Sequence, residues 1–290
     1  VVGAGPAGLA AATVAAERGH DVTLFEADDK IGGQFNIAKQ IPGKEDFSET
    51  LRYFDRMLDK HHVKVRLNHR AAADDLSGFD DVIVATGIAP RKPGIPGVEH
   101  PKVLSYLDVL RDKKPVGKSV AVIGAGGIGF DVSEYLTHVH AEDETGQWYR
   151  EWGVDTQLQQ RSALVPAQVT PSPRQVFLLQ RKESAIGKNL GKTSGWVHRA
   201  QLNKKAVEMI AGVSYERIDD AGLHIKVKGK TRLLSVDNVI ICAGQEPQRA
   251  LADALAHSGV RVHVIGGADV AAELDAKRAI KQGSELASQL

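Results

Sequence analysis

The sequence predicts an α/β fold made of two Rossmann-like dinucleotide-binding domains, the first of which is discontinuous. Two glycine-rich turns, at residues 3–8 and 124–129, indicate this fold, since each follows a short apolar strand and begins an apolar helix. A third observation is a late strand at 262–265, which ends in another glycine turn ahead of a further helix. The predicted boundaries are 1–114 and 244–290 for the first domain and 115–243 for the inserted second domain.

Hydrophobic periodicity places the other elements of the first domain after its glycine turn. We expect an alanine-rich helix at 6–18, a strand at 20–26, an amphipathic helix at 47–60 and strands at 63–67 and 81–86. The proline-rich residues 90–101 suit neither a helix nor a central strand and predict a linker. This alternation of strands and helices is typical of a doubly wound parallel sheet.

The second domain repeats this order and adds a group of three short strands and one long connection. After its glycine turn we expect a helix to about residue 138, a strand at 175–180, short strands at 214–217, 223–227 and 232–236, and a closing strand at 239–243. The three short strands predict an antiparallel meander. The long connection at 139–174 contains Trp148 and Trp152, so we expect a folded flap that packs on a neighbour, for which a domain absent from this chain is one candidate, with a mobile loop as the alternative.

Each glycine turn is expected to hold a pyrophosphate through its backbone. The first glycine makes the tight turn, the second lets the main chain approach the phosphate, and the third lets the helix pack on its strand. The phosphate then meets the positive end of the helix. The predicted contact residues are Gly3, Gly5, Pro6, Ala7 and Gly8 in the first turn and Gly124, Gly126, Gly127, Ile128 and Gly129 in the second.

The next strand of each domain ends in charges of opposite sign. Glu26 ends the strand after the first turn, whereas Arg181 and Lys182 follow the corresponding strand of the second domain. A carboxylate at this place hydrogen-bonds the ribose hydroxyls of FAD or NAD, and a basic pair neutralises the 2′-phosphate of NADP. The sequence therefore predicts FAD in the first domain and NADPH in the second. The plainer alternative for each charge is a solvated surface side chain.

Other turns are expected near the flavin. Gly87 and Gly244 each end a strand with a turn that brings the backbone close to the cofactor. Gly267 and Asp269 follow the late strand, where the carboxylate is placed to accept a hydrogen bond from a ribityl hydroxyl. Hydride transfer between nicotinamide and flavin needs orientation and exclusion of water, so no catalytic residue is predicted.

Composition limits the classes of function. The chain has 290 residues, 42% hydrophobic and 25% charged, with a formal net charge of +1, which predicts neither a nucleic-acid nor a membrane partner. Its low cysteine content fits a reducing compartment, so we expect a cytoplasmic protein. Its single cysteine, Cys242, excludes an internal disulfide, a redox cysteine pair and a cysteine-ligated iron–sulfur cluster. The 11 histidines show no metal-ligand spacing, so no metal site is predicted. The chain begins within a strand, which predicts a piece of a longer protein.

Six stretches of the chain together resemble one known family. They are residues 3–10, 31–44, 105–118, 124–131, 180–196 and 241–247. Over essentially its whole length, the chain resembles the C-terminal half of the bacterial 2,4-dienoyl-CoA reductases (NADPH) of unsaturated fatty acid β-oxidation. The resemblance implies that Gly33, Gln34, Lys44 and Ala71 also contact FAD.

The resemblance further implies an electron path and a partner. In that family, a barrel that holds FMN and a 4Fe-4S cluster precedes the part that is similar to this chain. Electrons would pass from NADPH to FAD here, and then through the cluster and FMN to the substrate. Two alternatives stay open. One is an electron-input module of another oxidoreductase, related to trimethylamine dehydrogenase or glutamate synthase, and the other is a flavin-binding module without catalytic activity.

Overall fold

The computed structural model describes residues 1–256, 258–272 and 275–290. These residues divide into two units, 1–91 with 244–290 and 92–243. The first unit is discontinuous, as the sequence predicts. The boundary ahead of the second unit follows residue 91 and not residue 114 as predicted, because strand Val103–Ser105 pairs with strand Asn238–Ile241 of the second unit.

Helices and short strands alternate along much of the chain. The helices are α1 (Pro6–Glu17), α2 (Phe35–Ala38), α3 (Phe47–Lys60), α4 (Tyr106–Leu110), α5 (Gly127–Thr137), α6 (Glu144–Trp152), α7 (Gly195–Lys204), α8 (Ala250–Leu255) and α9 (Ala276–Ala287). The strands are β1 (Thr23–Phe25), β2 (Lys64–Arg66), β3 (Asp81–Val84), β4 (Ile88–Pro90), β5 (Val103–Ser105), β6 (Ser119–Ile123), β7 (Gln175–Leu179), β8 (Glu208–Ile210), β9 (Val213–Asp219), β10 (Gly222–Val227), β11 (Lys230–Leu234), β12 (Asn238–Ile241), β13 (Gln245–Pro247) and β14 (Arg261–Val264). Short 3-10 turns lie at Ala73–Leu76, Arg161–Ala163 and Gly266–Ala268.

A parallel sheet centred on Val2 forms the base of the first unit. Val2 bridges Phe25 on one side and Val84 on the other, and β2 and β14 extend the sheet beyond these neighbours. The spatial order is therefore β2, β1, Val2, β3 and β14, as in a doubly wound fold. The chain enters its first glycine turn directly from the centre of this sheet.

Apolar helices pack around this sheet. The alanine-rich α1 packs against α9 and α3, in a core that contains Leu9, Leu24 and Phe54. Gly283 of α9 lies so close to α1 that an added Cβ atom would be 2.2 Å from the Ala7 carbonyl oxygen. This close packing fixes the first turn of α1, where the chain leaves its glycine turn.

The second unit contains a parallel sheet in the order β5, β12, β6, β7 and β8. The strands β9, β10 and β11 form the predicted antiparallel meander. Leu223, Ile225 and Leu234 of the meander are buried in one cluster with Ile123 and Val239 of the parallel sheet. Because β6 and β7 are adjacent and parallel, their carboxyl ends lie side by side.

The connection at 139–174 is folded and packs within the second unit. It contains α6, where Glu151 Oε1 accepts a hydrogen bond of 2.6 Å from Lys205 Nζ, just beyond α7. The two side chains are only 6% and 2% exposed, so they form a buried ion pair. Lys205 also donates to the Thr170 carbonyl oxygen at 2.9 Å, and Lys204 Nζ donates to the Glu151 carbonyl oxygen at 2.6 Å. The prediction that this connection is folded is confirmed, and it packs on α7 of its own unit; a contact with a domain absent from this chain stays a prediction.

Three tryptophans lie beside this ion pair. The rings of Trp148 and Trp152 stack at 5.7 Å, and Trp196 of α7 meets Trp152 edge-on at 6.4 Å. Lys204 Nζ lies 4.7 Å from the centre of the Trp152 ring, in a cation–π contact. Aromatic contacts therefore hold α6 against α7 in addition to the ion pair.

Candidate dinucleotide sites

The first glycine turn has two positions where only glycine fits and one that is open. Gly3 has a φ of +103°, and an added Cβ would lie 2.5 Å from the Ala85 carbonyl oxygen. At Gly8 an added Cβ would lie 1.8 Å from the Gly3 carbonyl oxygen. Nothing lies within 4 Å of a Cβ built at Gly5. The outer glycines therefore serve packing, and Gly5 leaves room for a phosphate to approach the backbone.

The helix that follows offers its positive end at the same place. Gly5 is the N-cap of α1 and Pro6 occupies its first turn, without a side-chain cap and without an acidic residue. Ala7 and Gly8 are buried in the first turn. A helix N-terminus that no carboxylate neutralises is suited to bind an anion.

Glu26 is held against the first glycine turn by backbone amides. Its Oε2 accepts a hydrogen bond of 2.7 Å from the Ala4 amide, and its Oε1 accepts one of 2.9 Å from the Asp28 amide. The residue is half-buried at the end of β1. Each carboxylate oxygen keeps a lone pair for a further donor, such as a ribose hydroxyl. Glu26 therefore lies against the first glycine turn, and its contact with a ribose hydroxyl stays a prediction.

The family resemblance assigns four further residues to FAD, and one of them, Gly33, lies directly beside this turn. Gly33 lies so close that an added Cβ would be 3.1 Å from the Gly5 Cα atom, and the Gly32 amide donates to the Ala4 carbonyl oxygen at 2.8 Å. Gln34 follows as the half-buried N-cap residue of α2. Gln34 therefore begins a helix immediately beside the turn, and a contact of its side chain with FAD stays a prediction.

The other two residues lie farther along the chain. Lys44 is half-buried in the connection between α2 and α3. Ala71 lies between β2 and the 3-10 turn Ala73–Leu76, packed against the core cluster that contains Val2 and Phe25. Their contacts with FAD stay predictions.

Two predicted glycine turns lie at Gly87, after β3 of the first unit, and at Gly244, after β12 of the second unit. Gly87 follows β3 with a φ of +77° and has nothing within 4 Å of a built Cβ. Gly244 has a φ of +94°, and its built Cβ would lie 2.6 Å from the Arg91 guanidinium. Gly87 therefore leaves space in front of the backbone, whereas at Gly244 the Arg91 side chain fills it.

Asp269 is held by two side chains that the sequence did not single out. Its Oδ2 accepts a hydrogen bond of 2.8 Å from Gln282 Nε2, and its Oδ1 lies 3.4 Å from the Arg249 guanidinium. Gln282 Oε1 also accepts from the Gly266 amide at 2.8 Å, next to the buried Gly267. Gln282 therefore ties the turn after β14 to α9. No local sequence signal marks Gln282 or Arg249, because both act over long sequence separations.

The second glycine turn repeats the geometry of the first. Gly124 has a φ of +108°, and its built Cβ would lie 2.7 Å from the Cys242 carbonyl oxygen. The built Cβ of Gly129 would lie 1.7 Å from the Gly124 carbonyl oxygen. Gly126 and Gly127 are exposed, with nothing within 4 Å of a built Cβ, and half-buried Ile128 follows in α5. This turn therefore exposes two adjacent glycines at the start of α5.

The predicted basic pair lies next to this turn. The Gly124 amide donates to the Leu179 carbonyl oxygen at 3.0 Å, and Arg181 and Lys182 follow two residues later. Both basic side chains are exposed, and neither forms an ion pair within residues 1–256, 258–272 and 275–290. The second glycine turn and two exposed cations are thus at the same sheet edge.

Gln180 fixes the loop that carries the two cations. Its Nε2 donates to the carbonyl oxygens of Lys182 at 2.9 Å and Ser184 at 2.8 Å. The Lys182 carbonyl oxygen also accepts from the Gly212 amide at 3.1 Å. Burial raises the pKa of the nearby Tyr215 phenol, and the positive charge of Arg181 acts in the opposite direction. The loop is therefore shaped before any ligand arrives.

Cys242 does not provide a reactive thiolate. The residue is half-buried, and burial raises the pKa of its thiol well above the ordinary range. A disulfide reductase of the two-cysteine type also needs a second thiol, which this sequence lacks.

A family comparison supports this geometry. Residues 1–279 match the sequence profile of the family described as pyridine nucleotide-disulphide oxidoreductase. The chain belongs to this family. Pyridine nucleotide-disulphide oxidoreductases are flavin-dependent enzymes, and membership implies FAD and NAD(P) as the cofactors.

Individual members of known function are longer than this chain. The chain is 28% identical to a metal reductase of Desulforamulus reducens, over 92% of this chain and 40% of the relative. It is 29% identical to a bilirubin reductase of Mediterraneibacter gnavus, over 98% of this chain and 39% of the relative. A solved 2-naphthoyl-CoA reductase in complex with 2-naphthoyl-CoA matches 100% of this chain and 39% of its own, with a TM-score of 0.83 and 28% identity. This pyridine nucleotide-disulphide oxidoreductase spans about two fifths of the length of these relatives.

Among the helices that the structure describes, none combines the length and the apolar composition that crossing a bilayer requires.

Proposed function

We propose that this chain is the electron-input module of a larger NADPH-dependent reductase, with NADPH bound to the second unit and FAD to the first. The larger protein would act on an unsaturated acyl-CoA thioester of the 2,4-dienoyl-CoA type. The observation that carries the proposal is the exposed pair Arg181 and Lys182 beside the second glycine turn.

The second unit supplies the charges that distinguish NADPH from NADH. These cofactors differ by the 2′-phosphate, for which Arg181 offers a planar fork of donors and Lys182 a compact charge. The open backbone at Gly126 and Gly127 fits the pyrophosphate. The pyrophosphate and the 2′-phosphate of one NADPH would thus meet the second glycine turn and the basic pair, which lie next to each other at the sheet edge.

The first unit offers matching contacts for FAD. Gly5 leaves space for the pyrophosphate, and Glu26 is oriented to accept hydrogen bonds from the ribose hydroxyls. Asp269, held by Gln282, is placed to accept a hydrogen bond from a ribityl hydroxyl. FAD, when bound, supplies the ring that accepts a hydride from the nicotinamide. The side chains named here bind and orient, and none is required to move a proton.

The proposed acyl-CoA substrate is inferred from similarity to other proteins. The solved 2-naphthoyl-CoA reductase aligns with the whole chain, and its name places it among reductases of CoA thioesters. The family resemblance found in the sequence points to the same substrate class. Because this chain spans about two fifths of such relatives, we assign substrate binding to the remainder of the longer protein.

The FAD-loaded chain is expected to pass electrons from NADPH to ferricyanide without reducing a 2,4-dienoyl-CoA. Both glycine turns are formed, whereas one cysteine cannot hold a four-cysteine cluster for onward transfer. The measurement is NADPH oxidation under anaerobic conditions with each acceptor in turn, and NADH serves as the control donor. Turnover of the dienoyl-CoA by this chain alone would contradict the assignment of substrate binding to the remainder of the longer protein. Failure to reduce ferricyanide in a flavin-loaded sample would contradict the electron-input role.

Replacing Glu26 by alanine is expected to lower FAD retention and to leave NADPH binding intact. Loss of a charged hydrogen-bond acceptor costs about 1.5–3 kcal/mol, equivalent to roughly tenfold or more in affinity. FAD content after gel filtration and the thermal shift caused by NADPH measure the two effects.

Two further variants accompany Glu26→Ala: one isolates the effect of the carboxylate charge, and the other is a control. Glu26→Gln keeps an oxygen that can accept from the Ala4 amide, so its FAD loss reports mainly the carboxylate charge. Glu17→Ala removes an exposed carboxylate at the end of α1 and is expected to bind FAD normally. Full FAD occupancy in both Glu26 variants would move the ribose contact to another residue.

A further inference from the structure

A cluster of two histidines and one glutamate lies where α5 ends and the 139–174 connection begins. His138 follows α5 directly, and Glu144 is the first residue of α6. Glu144 Oε1 lies 3.4 Å from His138 Nε2 and 3.3 Å from His140 Nδ1. The ligand atoms of all three residues lie within 4.8 Å of one another. Sequence spacing did not indicate this cluster, because the start of α6 determines where Glu144 lies.

The spacing of these atoms matches the coordination shell of a small divalent ion. Zinc takes imidazole nitrogens and carboxylate oxygens at about 2.0–2.2 Å in a tetrahedron, so neighbouring ligand atoms lie about 3.3–3.5 Å apart. The distances from the shared atom Glu144 Oε1 to the two imidazole nitrogens, 3.4 Å and 3.3 Å, lie in this range. The two imidazole rings meet edge-on, with centres 4.7 Å apart and planes at 81°.

Surrounding contacts orient the carboxylate and leave the cluster accessible. The Ala141 amide donates to Glu144 Oε1 at 3.2 Å, a contact of the kind that orients metal-binding carboxylates. The His138 side chain is 16% exposed, whereas those of His140 and Glu144 are 85% and 51% exposed. A cleft of about 330 Å³ lined by both histidines adjoins the cluster. An ion thus has a path to the cluster, and a fourth position stays open to water.

We propose that His138, His140 and Glu144 form a zinc site that fastens the 139–174 connection to the end of α5. Its two histidines lie in the segment that joins α5 to α6, and its glutamate lies in the first turn of α6, so a bound ion would hold this segment closed. The buried pair Glu151 and Lys205 holds the other end of α6. The proposal is independent of the cofactor assignments, because none of its residues belongs to a glycine turn or to the basic pair.

Zinc content after equilibrium dialysis tests the site directly. The tag-free chain is dialysed against buffered zinc and, separately, against magnesium, and bound metal is measured by elemental analysis. We expect the wild-type chain to retain one zinc ion and no magnesium, since imidazole ligands favour zinc and magnesium prefers oxygen ligands. His140→Ala and Glu144→Gln are each expected to weaken zinc binding by at least the ~10–100-fold that loss of an outer contact costs.

A matched variant controls for adventitious binding to histidine. His20→Ala removes an exposed histidine of the first unit and is expected to leave zinc binding unchanged. Because His140 and Glu144 are largely exposed, their variants are expected to fold. Equal zinc content in wild type and in the His140→Ala/Glu144→Gln double variant would overturn the proposal, as would equal retention of magnesium and zinc.

A second readout reports the structural role of the ion. Zinc is expected to slow proteolytic cleavage within residues 139–174 in the wild-type chain and in His20→Ala. The same addition is expected to leave cleavage of Glu144→Gln unchanged. Protection of Glu144→Gln equal to that of wild type would show that zinc acts at another place and would overturn the site.

Discussion

Replacing both Arg181 and Lys182 by alanine is expected to weaken NADPH binding by about a hundredfold or more while leaving NADH binding nearly unchanged. Each charge-assisted contact to the 2′-phosphate is worth about 1.5–3 kcal/mol, and two such contacts together exceed the ~2.7 kcal/mol of a hundredfold change. Both side chains are exposed and unpaired within the described residues, so their removal breaks no ion pair of the fold.

The ratio of two affinities measures this effect. Half-saturation of flavin reduction is determined with NADPH and with NADH for the wild type and for the double variant. Lys188→Ala/Lys192→Ala is the matched control, because it removes the same charge from exposed positions a few residues farther along the chain. Equal losses for NADPH and NADH in Arg181→Ala/Lys182→Ala would show that the pair does not contact the 2′-phosphate.

Replacing Lys205 by methionine is expected to destabilise the second unit by about 3–5 kcal/mol. The substitution leaves the Glu151 carboxylate buried without its cation, and breaking a buried ion pair in this way is strongly destabilising. Urea unfolding measured by circular dichroism gives the change in free energy. Lys226→Met, which replaces an exposed lysine of β10, is the control and is expected to stay within about 0.5 kcal/mol of wild type.

A double variant distinguishes lost charge pairing from lost packing. Glu151→Gln keeps a side-chain oxygen for the Gln147 and Thr170 donors and removes the charge. The double variant Glu151→Gln/Lys205→Met is therefore expected to be more stable than Lys205→Met alone. A double variant that is as unstable as Lys205→Met would mean that the lysine acts through packing and its other hydrogen bonds.

The same pair predicts a pH dependence. Burial acts to raise the pKa of Glu151, but the hydrogen bonds from Lys205 and Gln147 outweigh it and hold the pKa below its usual value. The pair therefore stabilises the folded state above the unfolded pKa near 4.3, and this contribution is lost as the pH falls through the lowered folded pKa. In Lys205→Met the hydrogen bond and charge of the lysine are lost, and only the hydrogen bonds from Gln147 and Thr170 still oppose the effect of burial, so protonation relieves the unpaired charge. The difference between wild type and Lys205→Met is expected to be smaller at pH 5 than at pH 7.

The glycine turns and charged strand ends could be predicted because their causes are local. Gly3 and Gly124 need a positive φ, and the third glycine of each turn needs contact with the first glycine's carbonyl oxygen, so spacing alone identifies them. Glu26 and the basic pair follow strands whose apolar residues are continuous in sequence. Local chemistry of this kind leaves a pattern that one sequence can reveal.

Features that depend on distant contacts could not be predicted in the same way. β5 has three residues, and only its pairing with β12 places it in the second unit, which is why the predicted boundary came too late. Gln282 holds the turn after β14 through contacts with residues 13 and 16 positions away, which no spacing reveals. Such residues become visible only when the tertiary structure places their partners.

The distribution of tryptophan gives each unit its own optical signal. Trp148, Trp152 and Trp196 all belong to the second unit, and the chain contains three tryptophans in total. Indole emission therefore reports on the second unit alone, and detachment of α6 from α7 would alter it by separating Trp152 from Trp196. Flavin emission would report on the first unit under the proposed placement of FAD. One unfolding experiment with two emission channels can thus determine whether the two units unfold together or in sequence.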